Sequence, residues 1–101
     1  SGEVLALADL FDENYDYIGE ISAEVLRQME YRVQYEEADY FIPGGIWSDD
    51  ECFKEISPDQ EFYINSDGLL VIVFEEYTVA PGKEGSPEFV MPYEIFLYDV
   101  Y

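Results

Sequence analysis

Apolar residues recur at helical spacing over residues 15–35 of the chain. They stand three or four positions apart and so share one stripe of an α-helix: Ile18, Ile21, Val25, Met29 and Val33. Asn14 or Asp16 provides a side-chain cap at the start, and Arg27 and Arg32 lie towards the negative end of the helix dipole. The pattern predicts one main amphipathic helix.

A pattern typical of strands follows in the second half of the chain. Residues 61–64 (EFYI) and 69–74 (LLVIVF) flank residues 65–68 (NSDG), which tolerate positive φ and therefore predict a β-hairpin. The second run is apolar at six consecutive positions, so we expect both its faces to be covered and place it in the middle of the sheet. Residues 88–91 (EFVM) predict a further strand, ended by Pro92.

Three shorter segments complete the expected fold. Residues 4–8 (VLALA) fit an opening strand, and the alternation after Glu94 fits a last one. Residues 48–51 (SDDE) form a capping box, which predicts a short second helix from Asp49 to about Ile56. The fold class is α+β, with the main helix and a short second helix packed on a small, mainly antiparallel sheet containing the hairpin.

Length and composition indicate one folded domain over residues 1–101. Hydrophobic residues make up 49% of the chain and aromatic residues 18%, far above the levels of disordered segments. No apolar run approaches the roughly 18 residues of a membrane span, and no signal-peptide pattern occurs. A chain that opens at Ser1 and runs straight into a folded segment is typical of a domain excised from a longer surface protein.

The charge balance restricts the class of partner. Twenty-four acidic residues face four basic ones, giving a formal net charge of −20. This field repels nucleic acid and anionic lipid and attracts cationic partners. We interpret the acids mainly as solubilising an aromatic-rich domain, with a dedicated cation-binding face as the alternative.

The catalytic inventory is nearly empty. Histidine is absent, which removes the commonest general base and triad member. Cys52 is the one cysteine, so no internal disulfide can form; we expect it in the core, and a nucleophile is the weaker alternative. Paired carboxylates for glycoside hydrolysis are uninformative among 24 acids. The sequence predicts no enzyme and no cofactor.

The calcium-binding motif fails on spacing. Residues 65–68 echo the middle of an EF-hand loop, yet its first and last ligand positions fall on Tyr63 and Phe74. A weak calcium site at residues 49–51 stays open, although helix capping already explains these acids. We therefore predict no metal site.

The loop over residues 77–87 invites a binding interpretation. Proline and glycine pre-shape its backbone, and Tyr77 offers an amphipathic contact surface. Our candidate ligand-binding residues are Tyr77, Ala80, Pro81 and Gly82. In the alternative, Tyr77 and Val79 pack under the loop and Pro81 fixes a turn.

These segments also carry a family resemblance. Residues 62–69 match a "FY(I/L)xxDGL" hairpin, residues 77–81 a "Y-x-(I/V)-A-P" loop, and residues 88–93 an "(E)F-x-(I/M)-P-Y" strand. Residues 5–11 are similar to an "LxLxDLF" opening. Over nearly its whole length the chain resembles the C-terminal, RsiV-like domain shared by lysozyme-sensing anti-sigma factors and PdaC-type peptidoglycan deacetylases. Many members have Tyr where this chain has Gly82, which puts an aromatic contact there in doubt.

The resemblance implies a non-catalytic sensor domain outside the cytoplasmic membrane of a Gram-positive-type bacterium, anchored by a segment outside this sequence. Its partner would be a cationic protein such as lysozyme, or cell-wall material. The alternative that it implies is an accessory domain of a peptidoglycan-modifying enzyme of the deacetylase type. The sequence leaves the oligomeric state open.

Overall fold

The computed structural model describes residues 6–42, 52–75, 79 and 86–95. A 3-10 helix, Leu7–Leu10, precedes the long helix α1, Tyr17–Tyr35. Three strands follow: β1 (Phe62–Ile64), β2 (Leu70–Val73) and β3 (Glu88–Val90). The predicted α+β class is confirmed, with one main helix and a three-stranded antiparallel sheet. No helix in these ranges has both the length and the apolar character needed to cross a membrane.

Helix α1 begins directly after its N-cap residue, Asp16. The Asp16 carboxylate accepts a hydrogen bond of 3.0 Å from the N–H of Gly19, satisfying an orphan donor of the first turn. The predicted stripe holds at Ile21, Val25 and Met29, which are fully buried, but Val33 is 36% exposed. Each four-residue step advances about 40° around the helix, so the stripe drifts off the buried face. Arg32 takes the inward position one residue earlier.

Strand β2 lies between β1 and β3, in the middle of the sheet as predicted. The side-chain carbonyl of Asn65 closes the hairpin by accepting hydrogen bonds from the N–H groups of Asp67 at 2.9 Å and Leu69 at 3.0 Å. Gly68 has a φ of 80°, a left-handed conformation that glycine adopts without steric cost. The turn therefore accounts for the residues that echo a calcium loop.

The two faces of the sheet differ in exposure. The inner face packs against α1 through Leu70, Ile72 and Phe89, all 0% exposed. The outer face carries cross-strand neighbours Tyr63, Val71 and Val90; the first and last are 44% exposed. The core therefore lies between the inner face and the helix.

Helix α1 also covers the free edge of β3. The backbone pairing leaves the carbonyls of Glu88 and Val90 pointing away from β2. Gln28 Nε2 donates to the Val90 carbonyl at 2.9 Å, and Arg32 Nη2 donates to the Glu88 carbonyl at 3.0 Å. The helical i,i+4 rise of about 6 Å matches the spacing of alternate strand residues, about 6.7 Å. The helix thus blocks this edge against pairing with another strand.

Two expected elements differ from the structure. Leu7 and Ala8, expected in an opening strand, belong to the 3-10 helix, because the Asp9 carboxylate accepts from the N–H of Ala6 at 3.0 Å and closes a turn. The second helix is absent from its described part, residues 52–56. There the N–H of Ile56 donates to Ser22 Oγ instead of a helical carbonyl.

The remaining expectations lie outside the described residues. These are the capping box at residues 48–51, the weak calcium site at residues 49–51 and the last strand from Glu94, of which only Glu94 and Ile95 are described, both in a turn. Cys52 is buried at 9% exposure, as its expected core position requires.

Candidate functional site

Val79, which immediately precedes three of the candidate binding residues in the sequence, is held by core packing and a backbone hydrogen bond. It is 3% exposed and packs in the core. Its carbonyl accepts a hydrogen bond of 2.8 Å from the N–H of Phe41, and the carbonyl of Phe41 accepts one of 2.6 Å from the N–H of Phe53. Three segments distant in sequence are therefore joined by backbone hydrogen bonds at this point.

A cleft of ≈ 560 Å³, the Val79 cleft, opens beside this junction. Its apolar lining includes Phe53, Phe74 and Val79, all nearly buried. The lining also carries four carboxylates and one amine: Glu55, Asp59, Glu61, Glu75 and Lys54. An apolar lining with an excess of carboxylates suits a long cationic side chain, whose aliphatic stem is apolar and whose head is charged.

Aromatic rings connect the cleft to the far side of the core. Phe53 meets Phe74 edge to face at 5.7 Å between ring centroids, and Phe74 meets Phe89 in the same way at 5.8 Å. Phe89 in turn lies 5.7 Å from Tyr40. Such pairs stabilise a defined arrangement beyond simple burial. The apolar side of the cleft is thus part of the rigid core.

The clearest pKa shifts on α1 and the sheet have local causes. A hydrogen bond from Arg27 lowers the pKa of Glu24 below its usual value, helped by a hydrogen bond from Gln28 and by the charge of Arg27, against a smaller opposing effect of burial. A hydrogen bond to Glu88 raises the pKa of Tyr63. Each of these pKa shifts is accounted for by a structural contact between two side chains at the surface.

Metal ligands do not converge in the part of the chain that the structure describes. No three side chains of Asp, Glu or Cys are grouped there as a metal site would need. Buried side-chain polar atoms in the same ranges all have hydrogen-bond partners.

The candidate residues Tyr77, Ala80, Pro81 and Gly82 lie outside the described residues. Val79, which the alternative interpretation placed under the loop, is buried as that interpretation requires. Sequence reasoning missed the cleft carboxylates, because nothing distinguishes four acids among 24. It placed Arg32 near the end of the helix dipole but did not predict its contacts with Tyr40, Glu88 and Phe89.

Comparison with known proteins identifies the family of this chain. The family model described as a protein of unknown function, DUF3298, matches residues 8–94. The chain belongs to this family. It is also 41% identical over 93 residues to the anti-sigma-V factor RsiV of Bacillus subtilis strain 168. The resemblance to RsiV-like domains is thereby confirmed.

The match covers 88% of this chain but 30% of RsiV. The chain therefore corresponds to less than a third of that relative. Because the shared region is only one part of RsiV, the activity and partners of the whole relative do not transfer by similarity alone.

Proposed function

We propose that this DUF3298 domain is a non-catalytic, extracytoplasmic ligand-binding module, residues 1–101 of a longer surface protein, and that its ligand is a strongly cationic protein of the lysozyme type. The observation that carries the proposal is the 41% identity to an anti-sigma factor over most of the chain. In such a protein the module would serve as the sensor for an external ligand.

The geometry supports a cationic partner. The Val79 cleft presents four carboxylates around apolar walls formed by Phe53 and Phe74. Ala80, Pro81 and Gly82 directly follow, in the sequence, Val79, which lines the cleft. The net charge of −20 steers such a partner towards the whole domain, while the cleft and loop provide specificity.

Binding is favoured over catalysis by what the chain contains. Histidine is absent from the sequence, and Cys52, although it lines the Val79 cleft, is only 9% exposed. A receptor needs only a surface of suitable shape and charge, and the apolar walls and carboxylates of the Val79 cleft support this proposal.

The test is a calorimetric titration of the domain with hen lysozyme, carried out at low and at physiological salt. An unrelated protein of similar positive charge is the control. We expect lysozyme to bind at both salt concentrations and the control protein to bind only at low salt, because screening removes long-range attraction but leaves close contacts.

Matched variants locate the site. Tyr77→Ala and Pro81→Ala should weaken binding by roughly tenfold or more, the level expected of central contacts. Tyr93→Ala, at a position 69% exposed, is the control for a lost surface tyrosine. Glu55→Gln and Glu75→Gln should weaken binding more than Glu30→Gln on the exposed side of α1, although each removes one charge. If lysozyme and the control protein bind alike, the accessory domain of a peptidoglycan-modifying enzyme becomes the better proposal.

A further inference from the structure

We propose that Arg32 is a positioning residue of the Val79 cleft: through Tyr40 and Phe41 it holds Val79 in place at the edge of that cleft. The role in binding rests on the proposed function. The internal linkage does not, and it can be tested without any ligand.

The guanidinium of Arg32, in the last turn of α1, makes three contacts with residues that the structure describes. Nη1 donates a hydrogen bond of 3.0 Å to the Tyr40 hydroxyl, and Nη2 donates one of 3.0 Å to the Glu88 carbonyl. The guanidinium carbon lies 4.3 Å from the ring centroid of Phe89. Only a planar fork can donate in two fixed directions while it stacks on a ring, so lysine is a poor substitute.

The contact with Tyr40 fixes the segment that holds Val79. Tyr40 is 4% exposed, and its ring packs on Phe89, the same ring that Arg32 covers. The next residue, Phe41, donates its N–H to the Val79 carbonyl at 2.8 Å. A change at the guanidinium therefore reaches Val79 through one side-chain contact, one peptide unit and one backbone hydrogen bond.

The choice of partners separates this arginine from an ordinary surface cation. Arg27, on the same helix, pairs with a carboxylate and is 65% exposed. Arg32 instead has a hydroxyl, a backbone carbonyl and an aromatic ring as the partners described, in a chain with 24 acids. Its contacts are geometric constraints between α1, β3 and the segment at residues 40–42. We infer that orientation is its role.

The first test measures amide hydrogen exchange by NMR without ligand, with each rate corrected for global stability measured by urea unfolding. The probe is the N–H of Phe41, which donates to Val79. We expect Arg32→Gln and Tyr40→Phe to accelerate its exchange by about fivefold or more, the effect of weakening one hydrogen bond. Arg32→Lys should restore protection only in part, because an ammonium group cannot reproduce the fork.

Two controls match the changes made. Arg27→Gln removes the same charge from the same helix, and Tyr35→Phe removes a hydroxyl from a tyrosine 65% exposed. Neither should alter the exchange of Phe41. If Arg32→Gln does not fold, Tyr40→Phe decides the question alone. Unchanged exchange at Phe41 in folded Arg32→Gln or Tyr40→Phe overturns the linkage.

The second test uses lysozyme at physiological salt. Arg32→Gln should accelerate dissociation by roughly twofold to thirtyfold, the range of indirect coupling, and leave association unchanged relative to Arg27→Gln, which carries the same net charge. Faster exchange at Phe41 with unchanged dissociation overturns the positioning role. Failure of the unmodified domain to bind lysozyme overturns the proposed function, and the exchange data then decide the linkage on their own.

Discussion

The hydroxyl of Tyr63 on β1 donates a hydrogen bond of 2.7 Å to Oε1 of Glu88 on β3. Tyr63 is paired with Val71, whereas Glu88 is paired with Val73, so the contact crosses the central strand diagonally. Val71 is 1% exposed although it lies on the outer face. The tyrosine side chain that spans β2 helps to explain this burial.

The contact should be visible in the titration of Tyr63. The hydrogen bond to Glu88, then burial, then the negative charge of Glu88 raise the pKa of Tyr63 above 10.0. Because the folded-state pKa is raised, the stabilisation is present below pH 10 and is lost as the pH rises through the folded-state value. We expect Glu88→Gln to lower the pKa of Tyr63, measured from ¹³Cζ shifts. Glu30→Gln, with the same change in charge, should leave it unaltered; an equal effect of both variants would contradict the assignment.

Ser22 is expected to matter more than its size indicates. Its Oγ accepts the N–H of Ile56 at 2.9 Å in the buried core. Ser22→Ala leaves that N–H buried without an acceptor, which should lower the free energy of unfolding by about 1–3 kcal/mol. Urea unfolding measures the loss. The control is Ser57→Ala, whose hydroxyl accepts from the N–H of Asp59 in an exposed turn and should cost less than about 0.5 kcal/mol. Equal losses would show that Ser22 has no special role.

The hydrogen bond between Ile56 and Ser22 also shows why part of the fold could not be predicted from the sequence. Helix α1 and the hairpin follow from local patterns: a cap at Asp16, a stripe at Ile21, Val25 and Met29, and an Asn65 turn. Residues 52–56 carry helical signals too, but Ile56 donates its N–H to a residue 34 positions earlier. A tertiary hydrogen bond of this kind leaves no trace in local sequence.

The candidate site follows the same division. Proline and glycine pointed to the loop, whereas the cleft depends on residues brought together from segments near Phe53, Phe74 and Val79. Single charges in a chain with 24 acids carry little positional information. The contacts of Arg32 could not be predicted either, because its partners Tyr40 and Glu88 lie 8 and 56 residues away along the chain.

The Glu24 and Arg27 pair should contribute in a defined pH range. The hydrogen bond from Arg27 is the largest cause that lowers the pKa of Glu24 below 4.5. Because this folded-state pKa is lowered, the stabilisation is present above pH 4.5 and is lost as the pH falls through the folded-state value. The stability difference between the unmodified domain and Arg27→Gln should therefore shrink on acidification, measured by urea unfolding at pH 7 and near pH 3. Lys54→Gln removes the same charge elsewhere, and an identical pH profile would reduce the effect to net charge.

Glu37 is the clearest position for stabilising the domain. It follows α1 with a φ of 57°, a left-handed conformation that costs a side-chain-bearing residue about 1 kcal/mol. Its carboxylate also lies near the negative end of the helix dipole. Glu37→Gly removes both penalties, whereas Glu37→Gln removes only the charge. We expect urea unfolding to rank Glu37→Gly above Glu37→Gln, and Glu37→Gln above the unmodified domain.

Glu36 provides the matched control, because its φ is −121° and glycine relieves nothing there. Both glycine variants remove one negative charge and add backbone freedom to the unfolded chain, but only Glu37→Gly relieves a left-handed backbone, so Glu36→Gly should gain less. If both glycine variants have the same stability, the charge near the end of α1 governs the effect. If Glu37→Gly is less stable than Glu37→Gln, the left-handed backbone at this position is not the source of strain.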